Sequence, residues 1–230
     1  MAILCRDIGL LLLQAPHTGS TSLGTLLRTE LGGEILIDER VRDARGRIVL
    51  RQKHQTIRQL MEAGLITPQQ RRDLLVVVGI RNPFDLVFTE YARNREAGAI
   101  SAPQRLLRWL PGAHRDFTSA DFERFVRRRY EPGLAFRLAG RRPFVPVDWT
   151  AGADQLIRFE RMQEGLDEAL RLVGVGEPHR LTHRNPTTSR QQRGYAAIYT
   201  ARARAVVARA YAQSLAQYGY TFEGEGERSE

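Results

Sequence analysis

Residues 10–27 read LLLLQAPHTGSTSLGTLL, an apolar run followed by a turn of small residues and a second apolar pattern. The four leucines that open this segment are typical of an interior strand, which a parallel sheet covers on both faces. Beyond the turn, leucines at helical spacing follow three hydroxyl side chains that are placed to cap a helix: Leu23, Leu26 and Leu27 after Ser20, Thr21 and Ser22. The segment therefore predicts a buried strand, a turn and a helix in succession.

The start of this helix is a candidate anion site. The first backbone N–H groups of a helix have no acceptor within it, and small hydroxyl residues allow a phosphate or sulfate to approach them. The alternative is a strand–turn–helix corner that binds nothing. A Walker A loop is excluded, because G-x-x-x-x-G-K-[ST] requires a lysine and this turn has none.

Apolar patterns along the rest of the chain alternate between strand and helix periods. The most apolar strand is LLVVVGI, residues 74–80, which indicates a central parallel strand and leads into a helix over residues 84–95. Further strands are expected at residues 34–38, 47–51, 144–149 and 155–159. Further helices are expected at residues 56–64, 68–73, 103–110, 119–130, 161–173 and 199–217. This order predicts an α/β fold with a central, mostly parallel sheet flanked by helices.

The composition limits the possible partners and compartments. The formal net charge of +9 favours an anionic partner, which can be a nucleotide, an acidic glycan or nucleic acid. No apolar run approaches the roughly 20 residues of a membrane span, and the first residues lack a signal-peptide pattern. Cys5 is the only cysteine, so a disulfide framework within the chain is excluded and a reducing cytoplasm is expected.

Two sets of residues are candidates for chemistry. Lys53, the only lysine of the chain, and His54 lie between a predicted strand and a predicted helix, where an α/β sheet carries its functional groups. Arg81 ends the most apolar strand and is suited to hold a phosphate bidentately. Thr89 lies two turns into the following helix. For His54, a structural role is the alternative to catalysis, because a lone histidine is more often structural.

Three segments resemble sulfotransferases. Residues 16–23, PHTGSTSL, are similar to the 5′-phosphosulfate loop of that family, Pro-Lys-x-Gly-x-Thr-Ser/Thr-Leu, except that His17 stands where the family has lysine or arginine. The segment VVVGIRNPFDLVFTEYAR resembles the 3′-phosphate segment, with Arg81 and Thr89 at the family's eight-residue spacing and threonine replacing serine. The segment DWTAGADQLIRFERMQEGLDEALRLVGV, residues 148–175, resembles a passage of the bacterial and carbohydrate-type branch.

The resemblance implies a P-loop-like three-layer fold and transfer of a sulfuryl group from 3′-phosphoadenosine 5′-phosphosulfate (PAPS) to an acceptor hydroxyl or amine. His54 is then the general base, and Lys53 or His17 stabilises the bridging oxygen as it gains charge. The implied nucleotide-binding residues are Pro16, His17, Thr18, Gly19, Ser20, Thr21, Ser22, Arg81 and Thr89, with Arg190 and Arg193 in a basic loop of the family. No metal is expected, because His179 and His183 lack acidic partners in sequence.

The same reading predicts one sulfotransferase domain over residues 1–222, with a helical acceptor-binding insertion at about residues 98–143 and a polar tail at residues 223–230. The acceptor remains open among glycans, small metabolites and peptides, and the oligomeric state cannot be derived. A nucleotide kinase is a rival, disfavoured by the missing Walker lysine and the lack of a magnesium carboxylate. A non-catalytic nucleic-acid module is a second rival, disfavoured because interleaved aromatic residues are missing.

Overall fold

The computed structural model describes residues 1–43, 45–50, 52–96, 118–131, 133, 138, 140, 142–182 and 194–224. The chain forms two compact units, one made of Met1–Arg81 with Asp148–Arg184 and the other of Asn82–Val147 with Asn185–Glu230. The single domain with an acceptor-binding insertion stays a prediction. The helix expected at residues 103–110 and the candidate residues Arg190 and Arg193 lie outside the described residues.

The described elements follow in chain order. They are β1 (Ala2–Cys5), β2 (Leu10–Leu13), α1 (Ser20–Glu30), β3 (Glu34–Ile35), β4 (Val41–Arg42), β5 (Ile48–Leu50), α2 (Ile57–Glu62), α3 (Pro68–Asp73), β6 (Leu75–Ile80), α4 (Pro83–Glu96), α5 (Ser119–Tyr130), β7 (Gln155–Arg158), α6 (Met162–Leu172), α7 (Ala201–Ala210) and α8 (Ala212–Tyr218). Short 3₁₀ turns precede α6 at Phe159–Arg161 and α7 at Ala196–Ile198.

The first unit is built on a five-stranded sheet in the order β3-β1-β2-β6-β7. Strand β6 pairs in parallel with β2 on one side and with β7 on the other, and Leu13 lies opposite Val78. Strand β1 is antiparallel to both β2 and β3, so four of the five strands run in one direction. The predicted α/β fold with a mostly parallel sheet is confirmed, and the antiparallel β1 was not predicted.

Helices cover both faces of this sheet. On one face, alternate residues of β1, β2 and β6 pack against α2 and the turn after it, through Ile57, Leu60 and Ile66. On the other face, the remaining residues of β1, β2, β6 and β7 pack against α1 and α6, through leucines such as Leu23 and Leu166. Because both faces are covered, the strands are apolar throughout rather than alternating, as the leucine run of β2 indicates.

The second unit is a helical packing of α4, α5 and α7 around aromatic side chains. Phe122 of α5 is fully buried and stacks edge-on against Tyr91 of α4 and against Tyr199, which precedes α7. Arg129 forms an ion pair with Glu90 of α4 at 2.7 Å, and its guanidinium lies 3.9 Å from the ring centroid of Phe144. Burial therefore organises this unit without any strand among its described residues.

Several predicted elements are confirmed, and three expectations are wrong. The N-cap of α1 is Gly19, in a left-handed conformation with φ 73°, and Ser20, Thr21 and Ser22 lie inside the helix. Residues 144–149 form no strand, since prolines at positions 143 and 146 remove ladder donors. The helix expected at residues 199–217 is two helices, interrupted at Tyr211, whose hydroxyl is hydrogen-bonded to the hydroxyl of Tyr130.

Among the residues that the structure describes, no helix is both long enough and apolar enough to cross a membrane.

Gly79 marks a close approach between β6 and the turn after β2. A methyl group there would lie 2.8 Å from Oγ1 and 3.0 Å from Cβ of Thr18. We predict that Gly79→Ala lowers the free energy of unfolding by about 1–3 kcal/mol, as overpacking does. Gly176→Ala is the matched control, because nothing lies within 4 Å of its added methyl group.

Both replacements restrict the unfolded chain to the same extent, so the difference between the two variants isolates the clash. Urea unfolding followed by circular dichroism measures it. Equal stability of the two variants would show that the turn does not pack on Gly79 as described.

Candidate active site

The turn between β2 and α1, residues 14–19, is held by its own hydroxyl groups. The side chains of Thr18 and Ser20 both donate to the carbonyl oxygen of Ala15, at 3.0 and 3.1 Å. These two hydroxyls are buried and their protons are directed into the turn. Two of the hydroxyls that the sequence assigned to a ligand, those of Thr18 and Ser20, therefore stabilise the shape of the turn.

Gly19 is the N-cap residue of α1. Its left-handed backbone suits glycine, and an added Cβ would lie 2.4 Å from Sδ of Met162 and 3.0 Å from the ring of Phe159. No acceptor among the described residues takes the N–H groups of Ser20 and Thr21. Unsatisfied amides and the positive end of the helix dipole at one point are the features that attract an anion.

Arg81 follows β6 and is almost completely buried, with 6% of its surface exposed. Its Nη1 donates to the carbonyl oxygen of His17 at 2.8 Å, and its guanidinium lies 4.0 Å from the ring centroid of Phe159. A guanidinium stays charged at any physiological pH. Arg81 therefore places a permanent positive charge against the turn and fixes the orientation of one of its carbonyls.

His54 is fixed to the end of β2 by its ring. Nδ1 lies 2.8 Å from the carbonyl oxygen of Gln14. A carbonyl oxygen only accepts hydrogen bonds, so Nδ1 must carry the proton. In the neutral ring, Nε2 then holds the lone pair, which is the arrangement that a general base requires.

The pKa of His54 is lowered from its ordinary value. Although His54 is an exposed residue overall, partial burial of its ring is the largest cause, because it disfavours the charged imidazolium, and the hydrogen bond to the Gln14 carbonyl opposes it. The nearby positive charge of Lys53 lowers the pKa further. At neutral pH the ring is thus mostly neutral and able to accept a proton. The edge of Trp149 packs against the same imidazole, with 6.1 Å between ring centroids.

Both candidate histidines have a left-handed backbone, with φ 60° at His17 and φ 63° at His54. This conformation is uncommon for residues other than glycine, asparagine and aspartate, and it persists only where the surroundings hold it. At His17 the hydrogen bond from Arg81 to the carbonyl does so, and at His54 the ring contact to Gln14 does so. Locally strained backbone of this kind is concentrated at functional sites.

The first unit therefore brings together the turn, His17, Arg81 and His54, through contacts to the residues that follow β2. Lys53 is exposed and is connected to this group by its effect on the pKa of His54. In the second unit, Thr89 is 1% exposed, and its Oγ1 has no hydrogen-bond partner within the described residues. Buried hydroxyl groups are rarely left unpaired.

Two contributors were not predicted from the sequence. Gln14 supplies the carbonyl that holds His54, and its side chain donates to the carbonyl oxygen of Ser20 at 2.8 Å. Its place, as a polar residue directly after four leucines, is the sequence signal from which it could have been found. Phe159 supplies the ring under Arg81, and nothing in its sequence context distinguished it from a core aromatic residue.

No group of three or more potential metal ligands occurs among the residues with described coordinates. His179 instead contacts the carboxylate of Glu30 at 2.6 Å, and His183 lies outside the described residues. Comparison of the chain with protein-family models, with curated proteins and with solved structures gave no match.

The tautomer and titration of His54 are directly measurable. We predict that its imidazole titrates below the ordinary value of about 6.5 and that the neutral ring carries its proton on Nδ1. Nitrogen-15 NMR of the histidine side chains reports both properties. Lys53→Gln removes a positive charge and is expected to raise the midpoint.

Arg171→Gln is the control, because Arg171 is paired with Glu168 on α6 and is not among the causes of the His54 shift. The titration also has a consequence for stability. Since the folded state disfavours protonation of His54, this contribution is present above the unfolded pKa and is lost as the pH falls through the lower folded value. A neutral ring protonated on Nε2 would contradict the assignment.

Proposed function

We propose that the protein is a sulfotransferase of P-loop-like fold, which transfers a sulfuryl group from PAPS to an acceptor hydroxyl or amine. The observation that carries the proposal is the contact set at the end of β2, where a turn that leads into the N-terminus of α1, a buried arginine and a histidine whose Nδ1 is bound to a carbonyl oxygen converge in one unit. An anionic donor and a proton acceptor are the two requirements of this reaction.

The turn is suited to the 5′-phosphosulfate end of the donor. The amides of Ser20 and Thr21 and the dipole of α1 attract an anion. The lysine of the family loop is absent, and His17 takes its position. The permanent charge of Arg81, which contacts the carbonyl of His17, supplies positive potential close to the turn.

The resemblance assigns the 3′-phosphate to Arg81 and Thr89, and the Thr89 hydroxyl is buried without a hydrogen-bond partner among the described residues. A buried hydroxyl without a partner gains a hydrogen bond when an anion is added nearby. Arg81 is already engaged by the carbonyl of His17 and by Phe159, so we give it a positioning role in the turn alongside any contact with phosphate.

The chemistry that the chain must supply is modest. When bound, PAPS provides the sulfuryl group, whose bond to the bridging 5′-phosphate oxygen breaks with the electron pair on that oxygen as the acceptor oxygen bonds to sulfur. His54 accepts the proton of the acceptor hydroxyl at Nε2. Its lowered pKa keeps that nitrogen unprotonated at neutral pH. Fixed amides and Arg81 stabilise the charge that develops, without rearrangement during the step.

The acceptor is a glycan, a small metabolite or a peptide, and nucleic acid is not part of the proposal. A cytoplasmic location belongs to it as an expectation from the single cysteine. Thermal-shift measurements with the desulfated nucleotide 3′-phosphoadenosine 5′-phosphate (PAP), with ATP and magnesium, and with an oligonucleotide discriminate the proposal from a kinase and from a nucleic-acid module. Stabilisation by PAP alone is expected.

Thr89→Val tests the nucleotide site without disturbing the fold. Valine keeps the shape of threonine, and the hydroxyl that it removes has no partner among the described residues, so stability is expected to be retained or slightly raised. If Thr89 binds a phosphate, the affinity for PAP falls by about tenfold or more, the value of one hydrogen bond to a charged group. Isothermal titration calorimetry measures this loss.

Thr200→Val is the matched control. Thr200 caps α7 and also donates to Glu123, so its replacement lowers the free energy of unfolding by about 0.5–2 kcal/mol and leaves the affinity for PAP unchanged. Identical PAP affinity of Thr89→Val and the parent protein would remove Thr89 from the nucleotide site.

His54→Asn tests the base. Asparagine tolerates the left-handed backbone, and its amide can donate to the Gln14 carbonyl, yet it offers no basic nitrogen. Turnover at saturating PAPS is expected to fall by about 10²–10⁴-fold, while the affinity for PAP is retained. Radiolabelled PAPS with a panel of acceptors supplies the assay. A variant that retains the parent rate excludes His54 as the base.

A further inference from the structure

Gln14 takes part in two of the contacts that shape the candidate site. It follows β2 directly, is 7% exposed and uses both its backbone and its side chain. The backbone carbonyl accepts the Nδ1 proton of His54, and Nε2 of the side chain donates to the carbonyl oxygen of Ser20 in the first turn of α1. One residue thus contacts the candidate base and the start of the anion-binding helix.

The side chain of Gln14 packs into space that Gly24 leaves open on α1. An added Cβ at Gly24 would lie 2.3 Å from Nε2 of Gln14, closer than any real contact. Glycine inside a helix costs about 1 kcal/mol relative to alanine. The glycine in α1 lies where the amide of Gln14 packs, so this amide is part of the packing between β2 and α1.

The orientation of two successive carbonyls depends on this residue. In an extended chain, neighbouring carbonyl groups point in opposite directions. The carbonyl of Gln14 is directed to His54, and the carbonyl of Ala15 accepts the hydroxyl protons of Thr18 and Ser20. A rotation of the peptide between Gln14 and Ala15 would therefore disturb the base and the turn together.

We propose that the side chain of Gln14 is a positioning group that joins the base to the anion-binding turn. By tying the end of β2 to the first turn of α1, the amide fixes the direction of the Gln14 carbonyl and hence the orientation and tautomer of His54. The catalytic meaning of this link rests on the proposed function. The link itself is a property of the folded chain and is measurable without substrate.

Gln14→Met is the primary test. Methionine matches the length of glutamine and removes only the amide. We expect the Nδ1 proton of His54 to exchange with solvent at least about tenfold faster, and the fraction of the Nδ1–H tautomer to fall, in nitrogen-15 NMR. With an acceptor in hand, kcat is expected to fall by about tenfold and KM for PAPS to change little, because the base is misplaced rather than removed.

Gly24→Ala tests the same hydrogen bond by changing the residue against which the Gln14 amide packs. It retains every hydrogen-bonding group and displaces the amide of Gln14, so it should speed the exchange of the His54 proton as Gln14→Met does. It also serves as the second variant if Gln14→Met does not fold. Gln69→Met is the control, because Gln69 is exposed and bonds only Asp73 and Arg72 in the described chain.

A double variant separates the link from general packing. In Gln14→Ala the space beside Gly24 is empty, so Gly24→Ala is expected to raise the thermal midpoint more when it is added to Gln14→Ala than when it is added to the parent protein. Unchanged exchange and tautomer of His54 in both Gln14→Met and Gly24→Ala would overturn the proposal. If the parent protein transfers no sulfuryl group, the proposed function fails, and the exchange measurement still decides the link.

Discussion

The parallel pairing of β2 with β6 is the constraint on which the rest of the first unit depends. Its register sets Leu13 opposite Val78, so the chain after β2 and the chain after β6 leave the sheet at the same edge. Arg81, three residues beyond Val78, therefore reaches the carbonyl of His17, four residues beyond Leu13. A shift of one residue would turn Arg81 to the other face and separate the buried charge from the carbonyl of His17.

Elements with a strong apolar period were predictable from the sequence, because burial alone determines them. The leucine run of β2, the β-branched run of β6 and the apolar stripe of α5 all lie within a residue or two of the expected bounds. The start of helix α3 was predicted correctly, since Thr67 caps it and Pro68 opens it, and the structure adds a capping box with Gln70. Local chemistry and tertiary packing agree at these positions, and patterns are then reliable.

The remaining features depend on contacts between distant residues, which a pattern does not contain. Ser20 was expected to cap α1, yet its hydroxyl is used by Ala15 and the cap falls to Gly19, which the packing of Met162 and Phe159 leaves without space for a side chain. Tyr211 interrupts a helix that local propensity would continue, because a partner 81 residues away binds its hydroxyl. The candidate base was correctly placed in a loop, but its tautomer depends on Gln14, 40 residues earlier.

The same contacts show how His17 is held at the position where the resemblance predicts a lysine. A lysine in this position would supply a mobile charge, whereas His17 is held by its backbone, in a left-handed conformation and with its carbonyl bound by Arg81. The positive charge near the turn is then that of Arg81, whose guanidinium lies over the ring of Phe159 in the short 3₁₀ turn before α6. Because that guanidinium is buried and cannot be deprotonated, its contribution to the potential at the turn is independent of pH.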